Sequence, residues 1–373
     1  MKIVIDARLY GLEHAGLGRY AINLIEELKK IDRKNEYVIL LRKKYFDRLK
    51  FPENWKKVLA DFRHYTLTEQ VRLPKILSDE KPDLVHFLHM NVPIFYKGKF
   101  VVTVHDLLMQ KHRGSAATTL PFFAYFPKLA AAKLIFRHAV SAAEKIIVPS
   151  NAVKDEVVSF YHVDPGKITV TYEGANIKFK MNNPPRSENL KLKIKEPYFV
   201  YVGNAYPHKN LERAIKVFVS KKILFVIVSS RGIFTKKLEE EIRSLKAEKY
   251  IKLLGFVPDN ELGDILKNSL GFIYPSLSEG FGLPGLEAMS AQTLVLASDI
   301  PVFREVYKDV PIYFDPYDTD SIKMAIEKAI TMDKEERNKI IQKGKELVNN
   351  YSWAKMAEET LKIYEGCNRL RSG

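Results

Sequence analysis

The chain of 373 residues holds one cysteine, Cys367, so no disulfide can form within it. That excludes a small cross-linked scaffold and fits a reducing compartment. Long apolar runs are missing too. The most apolar helix candidate, "LPFFAYFPKLAAAKLIF", is broken by Pro127, Lys128 and Lys133 and does not read as a membrane span. The start, "MKIVIDARLYG", reaches Asp6 and Arg8 before an apolar secretory segment could develop. The expectation is a soluble cytoplasmic protein, able to lie on the inner face of a membrane as a peripheral protein. No dinucleotide fingerprint Gly-x-Gly-x-x-Gly follows the first strand, which disfavours a nicotinamide enzyme. Acidic residues are in deficit: 60 Lys and Arg face 45 Asp and Glu, a net +15. Residues 1–180 carry +11 of it and residues 181–373 carry +4. Such a surface attracts nucleic acid, an anionic membrane or a phosphorylated substrate, or only keeps the chain in solution. Basic and aromatic residues form no recognisable nucleic-acid motif, so no nucleic-acid partner is expected.

What is present is a regular alternation. Val/Ile-rich runs ("KIVIDA", "YVILL", "LVHFL", "FVVTVHD", "KIIVPS", "ITVTYEG") are separated by amphipathic helical stretches, the pattern of a parallel sheet covered on both faces. A polar, Pro-bearing stretch at 181–197 reads as a linker. The pattern then restarts with "YFVYVG", "ILFVIVSS", "IKLLGF", "LGFIYPS", "TLVLAS" and "PIYF". This predicts an α/β protein of two Rossmann-like domains, 1–180 and 198–350, facing across a cleft, with a last helical segment in 351–373. Ligands bind outside the carboxyl ends of such strands, so the residues after each strand are the ones to inspect.

After the first strand, Gly16 and Gly18 precede a helix expected to begin near Arg19, where bare backbone and free N–H groups suit an anion. A flexible loop explains the same glycines. His105 follows "FVVTV" and could donate to a substrate oxygen or exchange a proton. His86 and His89 read as cleft lining. After "YFVYVG", Asn210 could cap a helix, with Lys209 beside its start. In "SEGFGLPGLEAM", Gly280 and Gly282 expose N–H groups ahead of a helix starting near Leu283–Pro284, a second anion cradle. Glu279 and Glu287 bracket it, and a carboxylate accepts well from paired hydroxyls. A ligand with phosphate in the middle and hydroxyls at both ends fits, and a nucleotide sugar has that shape.

The stretch "EGFGLPGLEAM" with Glu279 and Glu287 in E-x7-E spacing, together with "GLGRYAINL", "VTVHDL", "VPSNAVKDEV", "YVGNAYPHKNL", "LGFVPDNEL", "LASDIPVFREV" and "YSWAKMAEETLKIY", resembles the retaining glycosyltransferases of family 4, which have the GT-B fold. The likeness spans nearly the whole chain and leans toward bacterial mannosyltransferases of surface polysaccharides. It implies a metal-independent hexosyltransferase, with no cofactor beyond a nucleotide diphosphate sugar, GDP-mannose favoured. Lys209 would neutralise the diphosphate, helped by the Gly282 and Leu283 amides. Glu287 would bind the ribose, Glu279 the transferred sugar, and the backbone near Phe256 and Val257 the base. Gly16 would approach the diphosphate and His105 the reacting carbon. Phe281, between the cradle glycines, belongs to the same donor-binding set, as do Asn204 and His208. Those two depart from the family's usual arginines, so Lys209 carries the phosphate charge with less help. "AMSAQTLVLAS" also departs, with Gln292 and Leu294 in place of a glycine and a proline. The segment 351–373 would cross back to the first domain. The acceptor would be a glycan or a polyprenyl-diphosphate-linked sugar. "RKKYFDRLKFPENWKK" and "LPFFAYFPKLAAAKLIFRHAV" are the candidate faces toward an anionic membrane. Two rivals remain at this point: a glycoside hydrolase using the two glutamates, and a non-catalytic nucleotide-sugar or glycan-binding protein of the same fold.

Overall fold

The computed structural model describes residues 1–111, 122–175, 194, 196–229 and 232–369. The chain forms two compact units: Met1–Gly174 with Ser352–Gly373, and Ala175–Tyr351. Of the expected linker, residues 181–193 and 195 lie outside the described residues.

The first unit is built on β1 (Lys2–Asp6), β2 (Glu36–Leu41), β3 (Trp55–Leu59), β4 (Leu84–Phe87), β5 (Phe100–Thr103), β6 (Lys145–Val148) and β7 (Ile168–Val170). They form one sheet in the order β3-β2-β1-β4-β5-β6-β7, every pairing parallel. Ile3 pairs with Tyr37 on one side and Leu84 on the other, so the direction of winding reverses between β1 and β4. The inner strands are apolar on both faces because helices cover both. The helix Ala15–Ile31 buries Tyr20, Ala21, Leu24, Ile25 and Leu28, one stripe at helical spacing. The final helix, Trp353–Arg369, packs against that helix and belongs to this unit, with Met356, Ala357, Thr360, Tyr364 and Cys367 buried.

Strand β3 corrects one expectation. It begins inside "RKKYFDRLKFPENWKK", expected to face a membrane, and it extends the sheet beside β2. Trp55 is buried and stacks on Tyr37 at 4.2 Å, and Phe51 stacks on Trp55 at 5.7 Å. These rings turn toward the protein, and Lys29 and Lys57 cover Phe51 and Phe46.

The second unit repeats the design with β8 (Tyr198–Val202), β9 (Leu224–Val228), β10 (Ile251–Leu254), β11 (Gly271–Tyr274), β12 (Val295–Ser298) and β13 (Ile312–Phe314). Their order is β10-β9-β8-β11-β12-β13, again all parallel, and the reversal falls between β8 and β11. Each unit therefore has a topological switch point, where adjacent strand ends diverge and leave room for a ligand.

Candidate functional site

At the switch point of the second unit, two loops meet. After β8 the chain passes Gly203 and makes a short 3-10 turn, Pro207–Lys209. The His208 carbonyl accepts from the Leu277 amide at 2.8 Å, tying this turn to the loop after β11. Asn210 stands at the start of the helix Leu211–Lys221, as expected, but its side chain does not cap it. Its backbone is left-handed, at φ 58°, and its amide instead donates to the Pro275 and Pro316 carbonyls at 3.1 and 2.8 Å. Asn tolerates that conformation and here staples three loops.

The staple sets Lys209 against Glu279: Nζ lies 2.5 Å from Oε1, and both side chains are nearly buried. Burial alone would raise the Glu279 carboxyl, but Lys209 and then His208 outweigh it and hold the carboxyl below its usual range. The floor is aromatic. Lys209 Nζ sits 5.6 Å over the Tyr274 ring, and Tyr201, Tyr274 and Tyr307 are all fully buried. Burial, and then the Glu279 charge, push each of the three phenols well above its ordinary value.

The glycine cradle follows. Gly282 caps the helix Leu283–Ser290 at φ 97°, and its carbonyl accepts from the Tyr307 hydroxyl. A Cβ on Gly282 or on Gly285 would lie 2.3 Å from that hydroxyl. Gly280, Gly282 and Gly285 thus have the Gly-x-Gly-x-x-Gly spacing, which sequence reading sought only after the first strand. Gly282 takes the positive φ that the turn needs, and Gly285 lets the helix pack closely on Tyr307. Phe281 is buried and packs edge-on to Tyr351 at 5.5 Å, and Leu283 is buried too. Glu287, one turn into the helix, is 6% exposed. Beyond burial, Glu279 and, more weakly, Glu287 add to the rise of the Tyr307 phenol. Phe256 and Val257 stand after β10, two strands from β8, which is about 10 Å at the usual strand spacing. Phe256 is 72% exposed. Asn204 accepts from the Tyr201 hydroxyl through its carbonyl, at 2.8 Å.

In the first unit the helix begins at Ala15, four residues earlier than expected, so Gly16 and Gly18 lie within its first turns. Their roles separate. A Cβ at Gly18 would stand 1.8 Å from the Gly11 carbonyl, so Gly18 is a packing glycine. A Cβ at Gly16 would meet nothing within 4 Å, so that backbone is open to a ligand. Leu17, between them, lines a cavity of about 50 Å³ with His89, Met90, Thr103, His105, Asp106, Met109, Gln110 and Phe136. The glycine-rich helix start and His105 therefore share one pocket.

His105 is tightly held. Nδ1 faces Glu173 Oε1 at 3.4 Å, Nε2 faces the Leu88 carbonyl at 3.1 Å, and Tyr20 packs edge-on at 4.7 Å. Glu173 was invisible to sequence reasoning, since nothing in "TYEG" marks it as the partner of a residue 68 positions away. His86 is not cleft lining. It is fully buried between Tyr364 and Thr103, at 2.5 and 2.8 Å, and it ties the final helix to the sheet. Arg8, also unmarked, bridges Asp6 and Glu69 at 2.6 and 2.7 Å and fixes the loop after β1 to the helix Leu67–Glu80. An Asp-x-Asp pair, Asp318/Asp320, starts the helix Thr319–Thr331, where Asp318 accepts from the Asp320 amide.

Two Rossmann-like units of parallel strands, each with a glycine-bearing helix start beyond a strand end, are the architecture of the GT-B glycosyltransferases. Family comparison reaches the same place. The profile "Glycosyl transferases group 1" matches residues 184–347 and "Glycosyltransferase Family 4" matches 14–179. The chain belongs to this family. It is 28% identical to the O-antigen chain mannosyltransferase RfbU of Salmonella typhimurium, over 87% of this chain and 90% of that one. It is 23% identical to O-antigen chain mannosyltransferase B of Escherichia coli, over 98% and 100%. Its fold matches the sucrose-phosphate synthase of Thermosynechococcus elongatus with a TM-score of 0.80, at 16% identity, over 99% of this chain and 100% of that one.

Proposed function

We propose that the chain transfers a mannosyl group from GDP-mannose, with retained anomeric configuration and without a metal, to a hydroxyl of a glycan carried on a polyprenyl diphosphate. The observation that carries this reading is the Lys209–Glu279 contact beside the Gly282 helix start. A cation, two helix-start amides and a carboxylate grouped in this way would suit a diphosphate beside a sugar, which supports the reading. The choice of mannose is supported by the names of the O-antigen relatives.

In the transfer, the bond from C1 to the phosphate oxygen breaks while the acceptor oxygen bonds to C1 on the same face. The acceptor proton passes to the departing phosphate. Negative charge grows on the diphosphate, and Lys209 with the Gly282 and Leu283 amides lowers its energy there. Glu287 holds the ribose and Phe256 and Val257 meet the base. His105 offers a fixed ring to the sugar, since both of its nitrogens already face oxygen atoms. The experiment is incubation with labelled GDP-mannose and a lipid-linked glycan, followed by determination of the new linkage. An α-mannoside product supports the reading. Tight donor binding with no transfer to any acceptor would favour a binding protein. Release of free sugar from a simple glycoside, with no nucleotide present, would favour a hydrolase.

A further inference from the structure

The first unit exposes apolar side chains beside its pocket. On the helix Leu67–Glu80, Leu67 is 86% exposed and Val71 69%. They flank Gln70, whose Oε1 accepts from the Ile94 amide at 3.0 Å, and so the loop after β4 is fastened beside them. That loop offers Ile94 and, 64% exposed, Phe95. Loop and helix together make a bare patch of four large apolar side chains, which a monomer in water gains nothing by displaying.

The charge around it has one sign. Arg63, Arg72, Lys75 and Lys97 are exposed, and none forms an ion pair with a described residue. Across residues 63–75 and 91–99 the sole carboxylate is Glu69, which is buried against Arg8. Lys97 acts on His138 of the helix Phe122–Ala142, where Lys133, Leu134 and Arg137 are also exposed. Apolar side chains within a ring of cations suit the boundary between acyl chains and anionic headgroups. The patch also adjoins the pocket. Tyr65, two residues before Leu67, reaches His89 at 3.2 Å and packs on Phe136, and both of those line the His105 cavity.

We infer that Leu67, Val71, Ile94 and Phe95, ringed by Arg63, Arg72, Lys75 and Lys97, form the surface by which this protein lies on an anionic lipid bilayer. The inference rests on the reading of the acceptor as lipid-linked, and it names the membrane face of that same pocket. It replaces the stretch around Trp55, whose rings pack inward.

The test is flotation of the full chain with phosphatidylcholine vesicles, with and without added phosphatidylglycerol. The wild type floats with the anionic vesicles and is released by salt. Leu67→Gln with Phe95→Gln lowers partitioning about 10-fold per side chain. Arg72→Gln with Lys75→Gln lowers it about 5-fold per charge. Both variants keep the wild-type melting temperature and transfer to a water-soluble acceptor, which separates this claim from the catalytic one. Absence of flotation, or flotation unchanged in both variants, overturns the inference. So does a wild-type dimer that Leu67→Gln with Phe95→Gln converts to monomer, which would assign the patch to a second copy of the chain.

Discussion

Lys209 Nζ lies 2.5 Å from Glu279 Oε1, with the two side chains 13% and 9% exposed. Each neutralises the other inside the second unit. Removal of either leaves a buried charge without its partner, which typically costs about 3–5 kcal/mol. Lys209→Ala should therefore melt markedly earlier than wild type as well as lose turnover. The double variant Lys209→Met with Glu279→Gln should recover much of the stability and none of the activity. Thermal melts of the three proteins, set beside transfer rates, check this. Equal melts for the single and double variants would show that the pair is not coupled.

The two glycines at the start of the first helix make a paired test. Gly18→Ala sets a Cβ 1.8 Å from the Gly11 carbonyl and should destabilise the first unit by more than about 2 kcal/mol. Gly16→Ala meets open space and should be neutral or raise stability by about 0.4–1 kcal/mol. If Gly16 admits the diphosphate, turnover in Gly16→Ala drops while the fold holds. Urea unfolding and transfer rates read the two effects separately.

Much of this was legible in the sequence, and the reasons are local. Central strands such as "KIVID" are apolar on both faces, and "EGFGLPGLE" gathers a turn, a helix start and two acids within a dozen residues. Strand β3 was missed because Lys56 and Lys57 interrupt its apolar pattern, as an edge strand allows. The helix start was misplaced by four residues because glycines usually signal a loop. Here Gly18 is present so that the helix can lie against the backbone at Gly11. Glu173, Arg8 and the Tyr201–Tyr274–Tyr307 floor act across the tertiary fold, and no sequence spacing announces such contacts.

Glu173 faces Nδ1 of His105 at 3.4 Å. Glu173 fixes the ring proposed to lie against the sugar, and misplacing such a positioning group by about 1 Å can cost about 10²-fold in rate. Glu173→Ala should lower kcat by about 10-fold or more with little change in the KM for donor. Glu173→Gln, which can still bond to the ring, should recover some of the loss. A matched rise in KM with unchanged kcat would make Glu173 a binding residue instead.

Burial, and then the nearby His105, hold His86 at about 3, against an ordinary value of about 6.5. Between those values the unfolded chain takes up a proton that the folded chain refuses. Stability is therefore intact above about pH 6.5 and falls with acidification until the folded value is reached, by about 1.4 kcal/mol per pH unit. Denaturant unfolding near neutrality and near pH 5 should show this slope. In His86→Gln the slope should be smaller by about one proton.

The most direct measurement is calorimetric titration of nucleotide diphosphate sugars, GDP-mannose first, into the wild type and into Lys209→Met with Glu279→Gln. The wild type should bind one donor saturably, and the variant at least about 10-fold more weakly, since a charge-assisted contact to the diphosphate is gone. Equal affinity in both proteins would mean that the diphosphate is held somewhere other than at Lys209 and the Gly282 helix start.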